Sequence, residues 1–353
     1  MTSTKKKHKS NNIWVWLLAV CIGISAIFSG REEAPTFTST SEQSVNSYFE
    51  VHYIDVGQAD AALVICDGRY MLIDGGNTAD SALLYTYLKN LEITYLDYIV
   101  ASHAHEDHVG GLAGALNYTD VGTVYCPVTS YDSEPFRDFL KYVEAKDAAI
   151  TVPEAGDTFS LGSASVEILG LNAGREENDT SMIVKITYKD TSFLFTGDAE
   201  REAEQAVLDN GCDLSSTVLK VGHHGGGDST TYPFLREVMP AYAVISVGAD
   251  NSYGHPADST LSRLRDAGAE IYRTDIQGTI IAVSDGKEVT ITTEKHGEAS
   301  QGAKYILNTN SRKFHLSSCS SVEKIAGHNY AEFTGTAEEL EAMGYVGCKQ
   351  CKP

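Results

Sequence analysis

From Phe49 onward the chain switches repeatedly between two hydrophobic periods. FEVHYIDV, AALVIC and YMLID carry the alternating or continuous apolar pattern of strands, cut by Gly and Asp turn residues. Ala79–Leu91 (ADSALLYTYLKNL) changes to helical spacing, and LDYIVAS returns to a buried strand. GLAGALN then reads as a helix, GTVYCPV as a strand and Pro135–Ala148 as an amphipathic helix. The second half repeats this grammar. ASVEILGL, SMIVKITY and TSFLFTG are strands and Ala199–Asp209 a helix, followed by strand STVLKV, a helix over Thr231–Val238 and strand AYAVISV. A helix over Ser259–Ala267 and the strands GTIIAVS and EVTITT close the pattern. Strands followed by helices in both halves predict an α/β chain with two sheets sandwiched between helices.

Both ends break the pattern. Lys5, Lys6, Lys7 and Lys9 precede an uncharged apolar run from Ile13 to about Phe28, the layout of a secretory signal or an uncleaved anchor. Arg31–Ser47 is rich in Ser, Thr and Glu without apolar periodicity and reads as a flexible linker. EKHGEASQGA (Glu294–Ala303) reads as a second linker, and the roughly 50 residues beyond it are too few to bury much core unaided. The expected organisation is 1–30 signal or anchor, 31–47 linker, 48–296 main domain, 297–302 linker and 303–353 tail domain.

The 353 residues include 48 acidic and 27 basic ones, a formal charge of −21. Such a surface repels polyanions at long range and counts against broad, non-specific nucleic-acid binding, although a local metal site overrides it. Of the seven cysteines, Cys21 lies in the export segment, and Cys66, Cys126 and Cys212 are scattered as small hydrophobes. The other three cluster at the C-terminus.

The densest chemistry is SHAHEDHVGG (Ser102–Gly111), at the end of the strand LDYIVAS, where α/β proteins build their sites. His103 and His105, two apart in extended backbone, point the same way and can grip one metal. Asp107 and His108 come as the chain turns into a helix near Gly110 and face a second position. Imidazoles with a carboxylate suit zinc, manganese or iron, and paired ions would clamp a water-derived nucleophile. Gly110–Gly111 predicts a tight backbone turn beside the ions. A solvated polar loop fits poorly between a buried strand and a glycine hinge.

His103-x-His105-x-Asp107-His108 resembles the signature of the metallo-β-lactamase fold, which implies an αββα sandwich with a one- or two-metal hydrolytic centre. Further motifs resemble, in family order, the hydrolase domain of the competence protein ComEC family: Asp55-Val-Gly-Gln-Ala-Asp60, LIDGG with Asp74, Leu219-Lys-Val-Gly-His-His-Gly225 and Tyr253-Gly-His255-Pro256. The resemblance covers roughly Tyr48 to Thr293, with Ala59 standing where that family usually has glycine. It implies that Asp198, closing FTGD, bridges two divalent ions (zinc or manganese), or else caps the following helix. It implies that His223 or His224 completes the second ion's shell, His224 being favoured, while the other supports the site or works as acid or base. His255 is a proton donor, a ligand or a turn residue, in that order, so the catalytic candidates are His255, His223 and Asp107. Gly225–Gly227 suits close approach of a ligand. Asp74 either orients a histidine or merely makes a turn. Many relatives supply a mid-domain histidine, but this chain has Glu177-Asn178-Asp179-Thr180-Ser181, similar to the ComEC pattern and unlike β-lactamases or glyoxalases. The first ion is thereby left short of ligands, with Asn178 or Asp179 as candidates to fill the gap.

In the tail, His315-x3-Cys319 and Cys348-x2-Cys351 have the spacing of a Cys3His site, which predicts one structural zinc and explains how so short a segment folds. Disulfides are the alternative in an exported chain, but three cysteines cannot all pair. The tail resembles the small zinc domain of the Ada repair protein type, with His315 where that pattern has cysteine, so alkyl transfer is not expected. Similar tails accompany secreted thermonuclease-like proteins.

These readings combine into an exported metal-dependent hydrolase, a phosphodiesterase or DNase, lying outside the cell or on the outer face of the cytoplasmic membrane. Its expected partners are DNA or another phosphodiester polymer, and the membrane if the N-terminal segment is uncleaved. The alternatives are an esterase releasing phosphorylcholine from cell-surface polymers, a β-lactamase, and a non-catalytic DNA-binding uptake accessory.

Overall fold

Short apolar runs become strands wherever both faces can be buried, and the first half yields six of them in the computed structural model. It describes residues 48–249, 251–295, 304–316, 319–334, 340–341 and 343–351. The segments expected as signal or anchor (1–30) and as linkers (31–47 and 297–302) lie outside these residues. Among the described residues no helix is long and apolar enough to cross a membrane.

β1 (Phe49–Tyr53), β2 (Ala62–Cys66) and β3 (Arg69–Ile73) form an antiparallel meander. Helix α1 (Ser81–Asn90) then leads to β4 (Tyr95–Val100), parallel to β3. The short α2 (Glu106–Val109) and α3 (Leu112–Tyr118) precede β5 (Asp120–Tyr125), and α4 (Glu134–Glu144) precedes β6 (Ile150–Thr151). Helix α4 shows why the sequence folds this way. Ser133 accepts a hydrogen bond from the Phe136 N–H (3.2 Å) and caps the helix, while Phe136, Phe139 and Val143 form one buried stripe.

The second half contributes β7 (Thr158–Leu161), β8 (Ala164–Gly170), β9 (Ile183–Tyr188), β10 (Thr191–Phe195), α5 (Arg201–Asp209) and β11 (Val218–Lys220). It continues through α6 (Tyr232–Val238), β12 (Tyr242–Ile245), α7 (Asp258–Asp266), β13 (Glu270–Arg273), α8 (Thr274–Gln277), β14 (Ile280–Ser284) and β15 (Val289–Thr293). The eight-stranded sheet runs β15-β14-β1-β2-β3-β4-β5-β6, and the seven-stranded sheet runs β13-β12-β11-β10-β9-β8-β7. The closing strands β14 and β15 thus return to the first sheet, with Phe49 opposite Ser284 and Tyr53 opposite Ile280.

One buried cluster, including Phe49, Val64, Ile168 and Phe193, fills the space between the sheets. A second packs the first sheet against α1, α3 and α4, and a third packs the other sheet against α5, α6 and α7. These are the four layers of an αββα sandwich, as the resemblance implies. Each sheet is antiparallel on one side and parallel on the other (β3 to β6, β10 to β13), so the C-terminal ends of the parallel strands gather the loops that carry the chemistry.

The tail forms its own sheet in the order β18-β16-β17-β19, from β16 (Lys304–Asn308), β17 (Lys313–Leu316), β18 (Tyr330–Thr334) and β19 (Val346–Gly347). Its apolar cluster is small: Tyr305, Leu307, Phe314 and Leu340.

Candidate metal centre

Five strand ends deliver the site. Asp74 follows β3, His103 to His108 follow β4, Asp198 follows β10, His223 and His224 follow β11, and His255 lies in the loop after β12. The helical turn begins earlier than the sequence suggests, with His105 at its N-terminus, so Asp107 and His108 already lie on α2.

Asp107, His108, Asp198 and His224 each offer a ligand atom within 4.8 Å of the other three. His108 Nε2 lies 3.3 Å from Asp198 Oδ2, and His224 Nε2 lies 3.1 Å from Asp107 Oδ2 and 3.6 Å from Asp198 Oδ2. A second convergence lies beside it: His103 Nε2 is 3.0 Å from His105 Nδ1 and 4.0 Å from Asp198 Oδ2. Asp198 therefore faces both positions. It does not cap α5, because Asp179 does so, accepting from the N–H groups of Glu200 (2.9 Å) and Ala203 (3.2 Å). That duty turns Asp179 away from the first position. Asn178 stays in the cleft, its Nδ2 donating to Glu200 (2.7 Å) and its Oδ1 buried without a partner.

Each of these histidines has its outer nitrogen fixed, which sets the tautomer and aims the inner one. His108 Nδ1 meets Asp74 Oδ2 at 2.9 Å, so Asp74 orients a histidine rather than merely making a turn. His224 Nδ1 donates to the Ser246 carbonyl at 3.1 Å, which leaves Nε2 free to act as a ligand. His105 Nε2 meets Glu177 Oε2 at 2.9 Å, and the Tyr131 hydroxyl donates to the same oxygen at 2.6 Å. His103 Nδ1 contacts Ser102 Oγ at 3.2 Å. Behind them Asp60 Oδ2 pairs with Lys220 Nζ at 2.5 Å, both nearly fully buried, with Oδ1 3.2 Å from His224 Nδ1. The sequence signal for that pair is Lys220 itself, since a lysine inside the buried run VLKV needs an acidic partner.

Electrostatics show that the donor set suits a cation. Burial disfavours charge on His108, yet the carboxylates of Asp198, Asp107 and Asp74 outweigh it and hold the imidazole well above its ordinary value. His224 is likewise pushed up to about 10 by Asp198 and Asp60 against its burial. Burial also opposes the charge on Asp198, but His108 and His224 keep its carboxyl well below the usual range. Buried carboxylates here stabilise positive charge, which a divalent ion carries as well as a proton does. His108 Nε2 and Asp198 Oδ1 are buried and lack hydrogen-bond partners, as ligand atoms facing an ion would be. The residues fit two divalent ions.

Gly110 and Gly111 serve packing rather than a turn that needs glycine's conformational freedom. Gly110 and Gly111 have negative φ, but a Cβ on Gly110 would lie 2.3 Å from the Thr78 nitrogen and one on Gly111 2.0 Å from the Gly75 carbonyl oxygen. The pair lets α2 and α3 press against the Gly75–Thr78 backbone. At Gly225, expected to admit a ligand, a Cβ would instead strike Pro256 Cβ at 2.7 Å.

His223 and His255 occupy the cleft wall, a space of about 330 Å³ that also exposes Glu106, Gln58 and Tyr253. His223 Nδ1 meets Asp228 Oδ1 at 3.1 Å and its Nε2 lies 3.9 Å from Asp198 Oδ2. In the tail His315, Cys319, Cys348 and Cys351 converge within 4.8 Å, with the cysteines unpaired and His315 Nδ1 buried without a partner. This set fits a zinc ion.

Residues 54–249 match the family described as the Metallo-beta-lactamase superfamily. ComE operon protein 3 of Bacillus subtilis (strain 168) is 30% identical over 258 residues, covering 67% of this chain and 33% of its own. Competence protein ComA of Neisseria gonorrhoeae is 28% identical over 230 residues (64% and 31%), and Recombination protein 2 of Haemophilus influenzae 28% over 240 residues (66% and 28%). The chain spans about a third of the length of these relatives.

Proposed function

The chain belongs to the metallo-beta-lactamase superfamily, and we propose that it is an exported, metal-dependent phosphodiesterase that cuts DNA. The observation that carries this reading is the cleft lined by His105, Asp107, Asp198 and His224 with His103 and His108 buried against Asp198 beneath it, every histidine locked from behind. The relatives' names speak of competence and recombination, which supports DNA as the polymer. Export is supported by the lysines ahead of the apolar run from Ile13 to Phe28.

Divalent ions, zinc or manganese, would supply a nucleophilic water at neutral pH and offset charge developing on the phosphoryl oxygens. The chain's own part is positioning and proton transfer. Asp107 and Asp198 hold the negative charge that keeps the cationic centre assembled. Burial lowers the His223 imidazole, but the hydrogen bond to Asp228 and the Asp198 charge outweigh it and leave it above its ordinary value. His255 is lowered by burial and then by His223 and His224. His223 is therefore the better-supplied donor to the leaving oxygen, with His255 beside it (ring centroids 5.2 Å apart). Purified protein with Mn²⁺ or Zn²⁺ is expected to cleave single- or double-stranded DNA. If both stay intact while phosphorylcholine is released from surface polymers, the substrate belongs to the second class.

A further inference from the structure

The cleft contains no lysine or arginine among its described lining residues, and the protein carries a formal charge of −21. Backbone phosphates of a polymer therefore find no side-chain cation to hold them there, and affinity beyond the reacting phosphate has to come from another contact. One group at the mouth supplies it. Tyr253 is 72% exposed, although a large aromatic side chain gains by being buried. Its ring stands 5.8 Å from the His255 ring at an interplanar angle of 32°, so it continues the cleft wall outward from His255.

The exposure is built into the loop. Asn251 Oδ1 accepts from the N–H groups of Tyr253 (3.1 Å) and His255 (3.0 Å), while its Nδ2 donates to the carbonyls of Gly248 (3.0 Å) and His255 (2.6 Å). One side chain thus ties the loop to itself and presents both rings together. A loop whose backbone is held this way needs little reordering when the ring takes a partner.

We propose that Tyr253 is a stacking platform for the unpaired base next to the scissile phosphodiester, so that the enzyme prefers single strands or frayed ends to intact duplex. This rests on the phosphodiesterase reading. An aromatic ring with one free face suits a flat base, whatever its sequence. A quaternary ammonium head is caged by several rings, and no second tyrosine, phenylalanine or tryptophan lines the cleft among the described residues.

The test compares wild type, Tyr253→Ala and Tyr253→Phe, each loaded with Mn²⁺, on an oligothymidylate and on the same strand with one abasic residue placed beside the cleavage point. Tyr253→Ala is expected to raise KM on the full strand about tenfold with kcat within about twofold, and Tyr253→Phe to restore it. On the abasic strand wild type itself shows the raised KM, and Tyr253→Ala adds nothing. Equal KM for wild type and Tyr253→Ala on the full strand overturns the platform while leaving the phosphodiesterase reading standing. So does a Tyr253→Ala loss confined to phosphorylcholine esters. Absence of cleavage of any strand by wild type overturns both.

Discussion

Asp74 Oδ2 lies 2.9 Å from His108 Nδ1, with both residues at most 2% exposed, and Asp74 Oδ1 accepts from the Ser102 N–H at 2.7 Å. The carboxylate thus ties the histidine to the strand end that carries the motif. Asp74 sits at φ +57°, a conformation asparagine tolerates, so Asp74→Asn changes charge with little backbone cost. It is expected to weaken metal binding about 10- to 100-fold at unchanged circular dichroism. Unchanged affinity in equilibrium dialysis would remove Asp74 from this role.

The two ion positions are unequal. Asp107, His108, Asp198 and His224 form one preassembled set, whereas His103 meets His105 at 3.0 Å and Asp198 only at 4.0 Å, without the mid-domain histidine. Zinc should load in two steps at the centre, the second at least ~10-fold weaker, with His103→Ala removing only the weaker step. Calorimetric titration giving one common affinity for both equivalents would contradict this.

Gly111 is fixed by contact with backbone, since a Cβ there would lie 2.0 Å from the Gly75 oxygen. Gly111→Ala is expected to cost about 1–3 kcal/mol. A scanning calorimeter should show this as a fall in melting temperature of roughly 2–12 °C. No change would mean that α3 shifts freely.

Much of this was legible in the sequence, and the parts that were not share a cause. Strands such as FEVHY and SFLF stand out because the sandwich buries them deeply, whereas β6, β7 and β13 lie at sheet ends, and are short or partly polar. The candidate ligands at His103 to His108 were visible as a run. Their supports were not: Asp60 and Lys220, or Tyr131, Glu177 and His105, are distant in the chain and meet only through sheet topology. Asp179 looked like a ligand because composition does not reveal which way a side chain turns, and the free N–H groups of α5 claimed it. The glycine pair was legible as a constraint, but its reason lay in the neighbouring backbone.

Burial pushes the Glu204 carboxyl up to about 7, although it accepts hydrogen bonds from the Thr230 and Thr231 N–H groups. The folded chain therefore holds this proton more tightly than the unfolded chain, whose value is about 4.5. The resulting contribution to stability is full below pH ~4.5 and is lost as pH rises through about 7. In urea denaturation, the stability difference between wild type and Glu204→Gln should shift against wild type by up to ~3 kcal/mol across that window. Parallel pH profiles for the two proteins would contradict the assignment.

The proposed phosphodiesterase activity belongs to this cleft and depends on divalent metal. It is tested most directly by cleavage of a single-stranded oligonucleotide by the Mn²⁺-loaded protein, set against the Asp107→Ala, His108→Ala double variant. Cleavage by wild type that falls at least ~1,000-fold in the double variant is the predicted result. A wild type that leaves the strand intact, or a double variant that cuts as fast, would overturn the assignment of phosphodiesterase activity to this cleft.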